Sequence, residues 1–413
     1  VRNVPRSLGP LSERPFRLLF FGRTLSAVGD AIVPVALTFA VLKLGTATDL
    51  GIVLGAGSAT RVVFLIAGGV WADRLPRQLV MMGADVVRAL AQAMIAVAFY
   101  AGEIRIWELA VASAVFGAAS AFFNPASTGL LPSIVSAARL QEANALIGLT
   151  RGVTEVAGPA ISGLVVAVFG YGLVFAIDAA SFVASFVCLA AMRLPSAVRR
   201  GEKRSMLLEA REGLRELLDR RWMVAGCLCD LVTNFTLAVL FVLGPVVVKE
   251  QFGGAKEWGL MLTFGAVGGL LGSALALRYK PDRPLLATYI IAFTFPLELV
   301  ALAPPLPLVV LAVGLALVFL SVTLGNAYWA TMLQQHVRAD ALSRVDSLTW
   351  ITSIVVFPLG LVLAGPIAAA IGVRDTLLGA AAIAAIAVTA VLSVRDVREL
   401  RRLDHVDGAG TTA

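Results

Sequence analysis

Twelve runs of predominantly apolar residues follow one another along this 413-residue chain, each about as long as an α-helix must be to cross some 30 Å of hydrocarbon. They lie near residues 17–42, 50–71, 79–100, 104–123, 145–169, 173–192, 222–248, 258–277, 284–303, 306–330, 345–371 and 376–394. In lipid no water is present to satisfy backbone N–H and C=O groups, so runs of this length close their hydrogen bonds internally as helices. A composition of 59% hydrophobic and 15% charged residues, with a mean hydropathy of +0.87, lies outside the range of soluble domains. The expected fold class is therefore all-α integral membrane, with twelve transmembrane helices that use most of the chain and leave no room for a soluble catalytic domain.

Basic residues in the connectors set the orientation of such a chain, while acidic ones count for little. With the amino terminus inside, the inner segments hold Arg2, Arg6, Arg14, Arg17, Arg74, Arg77 and Arg139, nine in the central loop, and nine beyond it; the outer loops hold only Lys43, Arg105, Lys249, Lys256 and Arg374. Both termini are thus expected on the cytoplasmic side, and the net charge of +7 is topological and no footprint for nucleic acid. The first apolar run carries Arg23 and Asp30 and is followed at once by a second, so it is expected to stay as a span and not be cleaved as a leader. Cys188, Cys227 and Cys229 fall within spans and suggest neither a disulfide nor a metal site. The preference for arginine, 29 against five lysines, points to a GC-rich bacterial gene and hence a bacterial plasma membrane.

Between residues 193 and 221 the chain turns polar, with Met206, Leu207, Leu214, Leu217 and Leu218 on a helical period and Glu216 four before Arg220. An amphipathic helix along the inner surface, touching lipid headgroups, and a solvated connector fit this equally. Either way the chain divides into a cytoplasmic segment (1–16), a six-helix bundle (17–192), the linker (193–221), a second six-helix bundle (222–394) and a cytoplasmic tail (395–413). The halves echo one another: an offset of 202 aligns Asn124 with Asn326 and Leu131 with Leu333, and an offset of 208 aligns Gly51 with Gly259, as a duplicated unit would.

The most charged short connector is Gly69-Val-Trp-Ala-Asp73-Arg74-Leu-Pro-Arg77, between the second and third spans. Its form, with the twelve spans and the long central loop, resembles the signature hairpin of the major facilitator superfamily; Pro76 and Gln78 depart from the usual pattern. Gly22-Arg23-x-x-Ser26-x-x-Gly29-Asp30, Phe122-Phe123-Asn124-Pro125-Ala126 ending the fourth span and Ala143-Asn144-Ala145-Leu146 opening the fifth are similar to its enterobactin-exporter and macrolide-efflux branch. The resemblance implies two bundles that rock about a midplane cavity, with Gly69, Asp73, Arg74 and Arg77 as a cytoplasmic latch closing on the eleventh helix. Gly158-Pro159, with Gly163, resembles an antiporter hinge: proline frees a carbonyl and glycine permits close crossing, although plain helix packing explains it as well. Gly268-x-x-x-Gly272 reads as packing alone.

Coupling to an ion gradient needs a titratable group inside the membrane, and Asp30, Asp85, Glu155, Asp178, Asp230 and Glu298 are placed there. Arg23 with Asp30 and Arg151 with Glu155 share helix faces by spacing, so these pairs are the leading proton-coupling candidates, or else structural braces. Glu298 has no partner on its own helix and joins them; Asp85 with Arg88 reads as structural. Asn234, Phe235, Phe264, Asn326 and Trp329 are candidates to line a substrate cavity. No phosphate loop, H-E-x-x-H, G-x-S-x-G or cysteine–histidine cluster occurs, which disfavours both an ATP-driven pump and a membrane enzyme. The expected role is export of a small amphipathic or hydrophobic compound, a drug, natural product or siderophore, by a monomer that uses no cofactor but a proton gradient; a proton-coupled uptake symporter is the alternative.

Overall fold

The computed structural model describes residues 6–193, 214–304, 306–338 and 341–403, with the side chains of 6–8, 66–74, 137 and 343 outside that description. Among the described residues there are twelve helices long and apolar enough to span a bilayer. They are α1 (Arg14–Leu44), α2 (Ala47–Arg74), α3 (Arg77–Ala101), α4 (Ile106–Ile134), α5 (Leu140–Phe169) and α6 (Tyr171–Ala190), then α7 (Arg221–Gln251), α8 (Ala255–Arg278), α9 (Pro284–Leu302), α10 (Leu308–His336), α11 (Arg344–Ile371) and α12 (Val373–Ser393). The even number brings the first and last described segments to the same end of the molecule, called here the terminus-bearing end, with the connectors α2–α3, α4–α5, α8–α9 and α10–α11. The expected linker helix falls largely on residues 194–213, outside the described ones.

The helices form two bundles, α1–α6 and α7–α12, with apolar clusters inside each and a further one that joins Val35 and Phe39 of α1 to α7–α12. Within a bundle, helices that must cross closely do so on glycine. A Cβ built on Gly117 of α4 would lie 2.0 Å from the Gly57 carbonyl of α2, and one on Gly268 of α8 would lie 1.9 Å from the Ala316 carbonyl of α10. In lipid, where apolar side chains gain nothing by leaving one apolar phase for another, such backbone proximity supplies the packing energy. Gly272 sits likewise against Leu320, so the Gly268/Gly272 pair is a packing face as expected.

Two helices are broken where the sequence suggested continuous spans. α9 divides into Pro284–Ile291 and Thr294–Leu302, and α11 into Leu342–Val355 and Phe357–Ile371. Pro296 and Pro358 lack the N–H that would pair with the carbonyls of Ala292 and Ile354; the Phe295 N–H takes up the Ala292 carbonyl instead, at 3.1 Å, and both Ala292 and Ile354 line a cavity, where irregular backbone is tolerable at membrane depth. α4 corrects the sequence reading in the other direction: it runs through Asn124-Pro125 to Ile134, because hydropathy falls there but the helix does not end.

Candidate functional site

The two bundles meet tightly at the end away from the termini. A Cβ on Gly51 of α2 would lie 2.2 Å from the Leu361 carbonyl of α11, and one on Gly365 of α11 only 2.3 Å from Thr48 Cα. Across the molecule, the carbonyl of Pro159 in α5 approaches Gly259 of α8 to 2.3 Å from the equivalent position, and Gly163 packs on Ala255 and Lys256. Thr263 of α8 donates to the Val156 carbonyl at 3.0 Å, and Lys249 of α7 donates to the Leu42 carbonyl of α1. Gly158, Pro159 and Gly163 are thus the residues that let α5 run against α1 on one face and α8 on the other, through an unbroken helix.

The N-terminal bundle encloses an ionic cluster that the sequence concealed. Arg88 of α3 pairs with Asp85 at 2.5 Å, both buried, and its guanidinium is stacked between the rings of Phe123 and Phe182, 4.3 and 4.2 Å from their centroids. Asp178 of α6, fully buried, packs on α1: a Cβ on Gly29 would lie 2.2 Å from its Oδ1. Ser181 donates to Asp178 at 3.4 Å, and Arg88, Gln92 and Asp30 all act on this carboxylate. Asp30, the next residue on α1, is exposed and feels Arg61 of α2 as well as Arg88 and Asp85. Three carboxylates and two guanidiniums therefore lie within electrostatic reach of one another, and Asp85 Oδ2, Asp178 Oδ2 and Gln92 Oε1 are buried without a hydrogen-bond partner.

This arrangement corrects the expected pairing of Arg23 with Asp30. Seven residues place them on one face, but no ion pair joins them: the charges that act on Asp30 are those of Arg88, Asp85 and Arg61, and the one that acts on Arg23 is that of Arg151 in α5. Arg151 and Glu155 do pair, at 2.7 Å, with side chains 78% and 56% exposed, on the face of α5 that carries Gly158 and Ser162 against α1. In the hairpin, Gly69, Asp73 and Arg74 have side chains outside the described ones; Arg77 donates to the Gly129 carbonyl of α4, within its own bundle.

The C-terminal bundle contains a cavity of about 350 Å³, walled by α7, α9, α10 and α11. Of the candidates named from sequence, Asn234, Asn326 and Trp329 line this cavity; Phe235 and Phe264 do not, since the Phe235 backbone packs on Gly360 and Phe264 lies exposed on α8. Asp230 and Asp346 line it too, with the rings of Tyr289, Phe295, Trp329 and Trp350. Asp346 and the 62% exposed Trp350 stand in the first turns of α11, so the mouth opens toward the terminus-bearing end. Cys229 is also part of the wall. Glu298 is not: it is buried against Gly314 of α10, with Oε1 unpartnered, in the apolar core beyond the cavity. No group of histidine, cysteine or acidic residues that could hold a metal occurs among the described residues.

An end sealed by glycine contacts between the bundles, and a cavity in the C-terminal bundle whose mouth faces the other end, form a pathway blocked on one side. Residues 19–353 match the sequence profile of the Major Facilitator Superfamily. The chain belongs to this superfamily of transporters. Among its relatives, the multidrug efflux pump Tap of Mycolicibacterium fortuitum is 30% identical over 385 residues, covering 88% of this chain and 91% of Tap. Macrolide efflux protein A of Streptococcus pyogenes is 24% identical over 370 residues, with the same 88% and 91% coverage. A bacterial homologue of the lysosomal transporter Spinster shares the fold at a TM-score of 0.70, with 14% identity, over 96% of this chain and 99% of that one. The protein is accordingly a multi-pass membrane transporter of small molecules.

For a major facilitator protein, the residues that sequence reasoning underweighted are Asp178, Arg88 and Asp230. Asp178 had a usable signal: an acid in the sixth span with no cation on its own helix needs one from elsewhere. Arg88 was read as the local partner of Asp85 by its i,i+3 spacing, which is true but incomplete. Asp230 had no signal to lift it above the other acids, because its cavity is assembled from four helices.

Proposed function

We propose that this transporter exports a small amphipathic or hydrophobic compound in exchange for protons, alternating between the observed state and one open at the other end. The terminus-bearing end is taken as cytoplasmic, in a bacterial plasma membrane, with the monomer as the working unit; the steep excess of basic residues in that end's connectors supports this placement. Supported by the efflux activity named for Tap and macrolide efflux protein A, the direction is outward.

The observation that carries proton coupling is the ionic cluster of α1, α2, α3 and α6. Its carboxylates outnumber its guanidiniums by one, and a bare charge in a low-dielectric interior is costly unless something neutralises it. A proton taken up by Asp30 from the far side and shared with Asp178 would complete the balance. Releasing it toward the cytoplasm would couple the cluster's charge to the rocking of α1 against α5. Arg151, Glu155 and Arg23 then tune the field at the mouth, Gly158, Pro159 and Gly163 form the pivot, and Gly69, Asp73, Arg74 and Arg77 latch the cytoplasmic end in the other state. A gradient of 100 mV supplies about 2.3 kcal/mol per proton, enough for a concentration ratio near fifty.

Inverted vesicles with an imposed interior-acid gradient test this with a panel of radiolabelled amphipathic compounds, neutral and cationic. Gradient-driven uptake of at least one compound is expected. Asp30→Asn should abolish that uptake while leaving exchange of labelled for unlabelled compound intact. Uptake of opposite polarity, or Asp30→Asn pumping at the normal rate, would refute the reading.

A further inference from the structure

We infer that the cavity of the C-terminal bundle recognises an organic cation with an apolar body, and that Asp230 is its counter-charge. The inference deepens the export reading by naming the substrate class. Its first support is a contrast between the halves. In the N-terminal bundle the buried carboxylate Asp85 is matched by a built-in guanidinium, Arg88, at 2.5 Å. In the C-terminal cavity no lysine or arginine lines the wall, and the Asp230 carboxylate makes no hydrogen bond or ion pair among the described residues; only its backbone carbonyl is used, by Thr233 and Asn234. Unlike Glu298, which is sealed in the apolar core, Asp230 lines an open cavity, where a carboxylate with no partner in the protein can take one from outside.

The second support is the rest of the wall. Tyr289, Phe295, Trp329 and Trp350 surround the space with aromatic faces, which attract a cation through their quadrupoles and an apolar body by contact. A proton alone would satisfy Asp230 but gives no reason for a space of about 350 Å³, within the range of small-molecule sites, ringed by four aromatic side chains. One of these rings is fixed in advance. Trp329 is held edge-on by Trp222 at 5.3 Å, and its six-membered ring occupies space left by Gly226, where a Cβ would lie 2.5 Å away. Such preorganisation lowers the ordering cost of binding. Asp346 at the mouth adds a second negative charge along the route in, which draws cations and repels anions.

The test uses the full chain in nanodiscs of zwitterionic phosphatidylcholine, with empty nanodiscs as the blank, and two probes of like shape. Methyltriphenylphosphonium carries a permanent charge and no titratable proton; triphenylphosphine oxide presents the same three rings without net charge. Equilibrium dialysis is expected to show the phosphonium bound about tenfold or more tightly than the oxide. That preference should disappear in Asp230→Asn, survive in Asp230→Glu and shrink in Asp346→Asn. Equal binding of the two probes to the wild-type protein, no phosphonium binding below a Kd of about 1 mM, or a preference that persists in Asp230→Asn would overturn the inference. The wild-type comparison decides even if a variant fails to fold. Failure of the two readings is distinguishable. Charge preference without gradient-driven transport removes proton antiport and leaves the site; pumping of neutral compounds without charge preference removes the site and leaves antiport.

Discussion

Replacing Gly365 with alanine should push this transporter out of the observed state. The added Cβ would lie 2.3 Å from Thr48 Cα, 2.5 Å from Thr48 N and 2.7 Å from the Ala47 carbonyl carbon, all backbone atoms that no rotamer change can move. To restore ordinary contact, α11 and α2 must draw apart by roughly 1 Å at the sealed end, an overpacking that costs about 1–3 kcal/mol. If the bundles part there in the alternate state, the cost falls on one state only and shifts the population ratio by about 5- to 150-fold. Spin labels on Glu103, in the α3–α4 connector, and Arg374, in the first turn of α12, both exposed at that end and one in each bundle, report the separation by electron–electron resonance once Cys188, Cys227 and Cys229 are replaced. Gly365→Ala should add a longer-distance population absent from the parent. An unchanged distance distribution in folded protein would refute the reasoning, because it would mean the strain is absorbed inside one bundle and the contact is not a gate.

Other consequences are more local. Arg88→Met strips the cation from Asp85 and Asp178 and should destabilise the protein by about 3–5 kcal/mol, with part of the loss recovered in Arg88→Met/Asp85→Asn; thermal melting in detergent measures both. Glu298→Met removes a buried carboxylate with an unpartnered oxygen while keeping most of its volume, so stability should rise by about 1–3 kcal/mol; a fall would reveal a role in a second state. Arg151→Ala breaks a pair whose side chains are 78% and 56% exposed, so the melting temperature should barely move, by less than about 1 kcal/mol in stability; a larger loss would make the pair a brace. Gly226→Ala should crowd the rings of Trp329 and Tyr289 and weaken methyltriphenylphosphonium binding, with unaltered binding in the dialysis assay as the contrary result.

The amino-acid sequence by itself determined the membrane architecture. Hydrocarbon has one thickness, so a helix that crosses it leaves an apolar run of fixed length, and all twelve spans were legible for that reason. The close-crossing roles of Gly158, Gly163 and Gly268 were legible too, because small residues at helical spacing in lipid have few other uses. Which charges meet was settled only in three dimensions. Arg23 and Asp30 share a helix face by arithmetic yet form no ion pair, and the charges that act on Asp30 are those of Arg88 and Asp85 from α3 and Arg61 from α2. The cavity around Asp230 follows the same logic: α7, α9, α10 and α11 each contribute a few residues, and no spacing along a single helix encodes their convergence. Local periodicity fixes what one helix presents, whereas a site inside a bundle depends on how several helices are rotated and translated against each other.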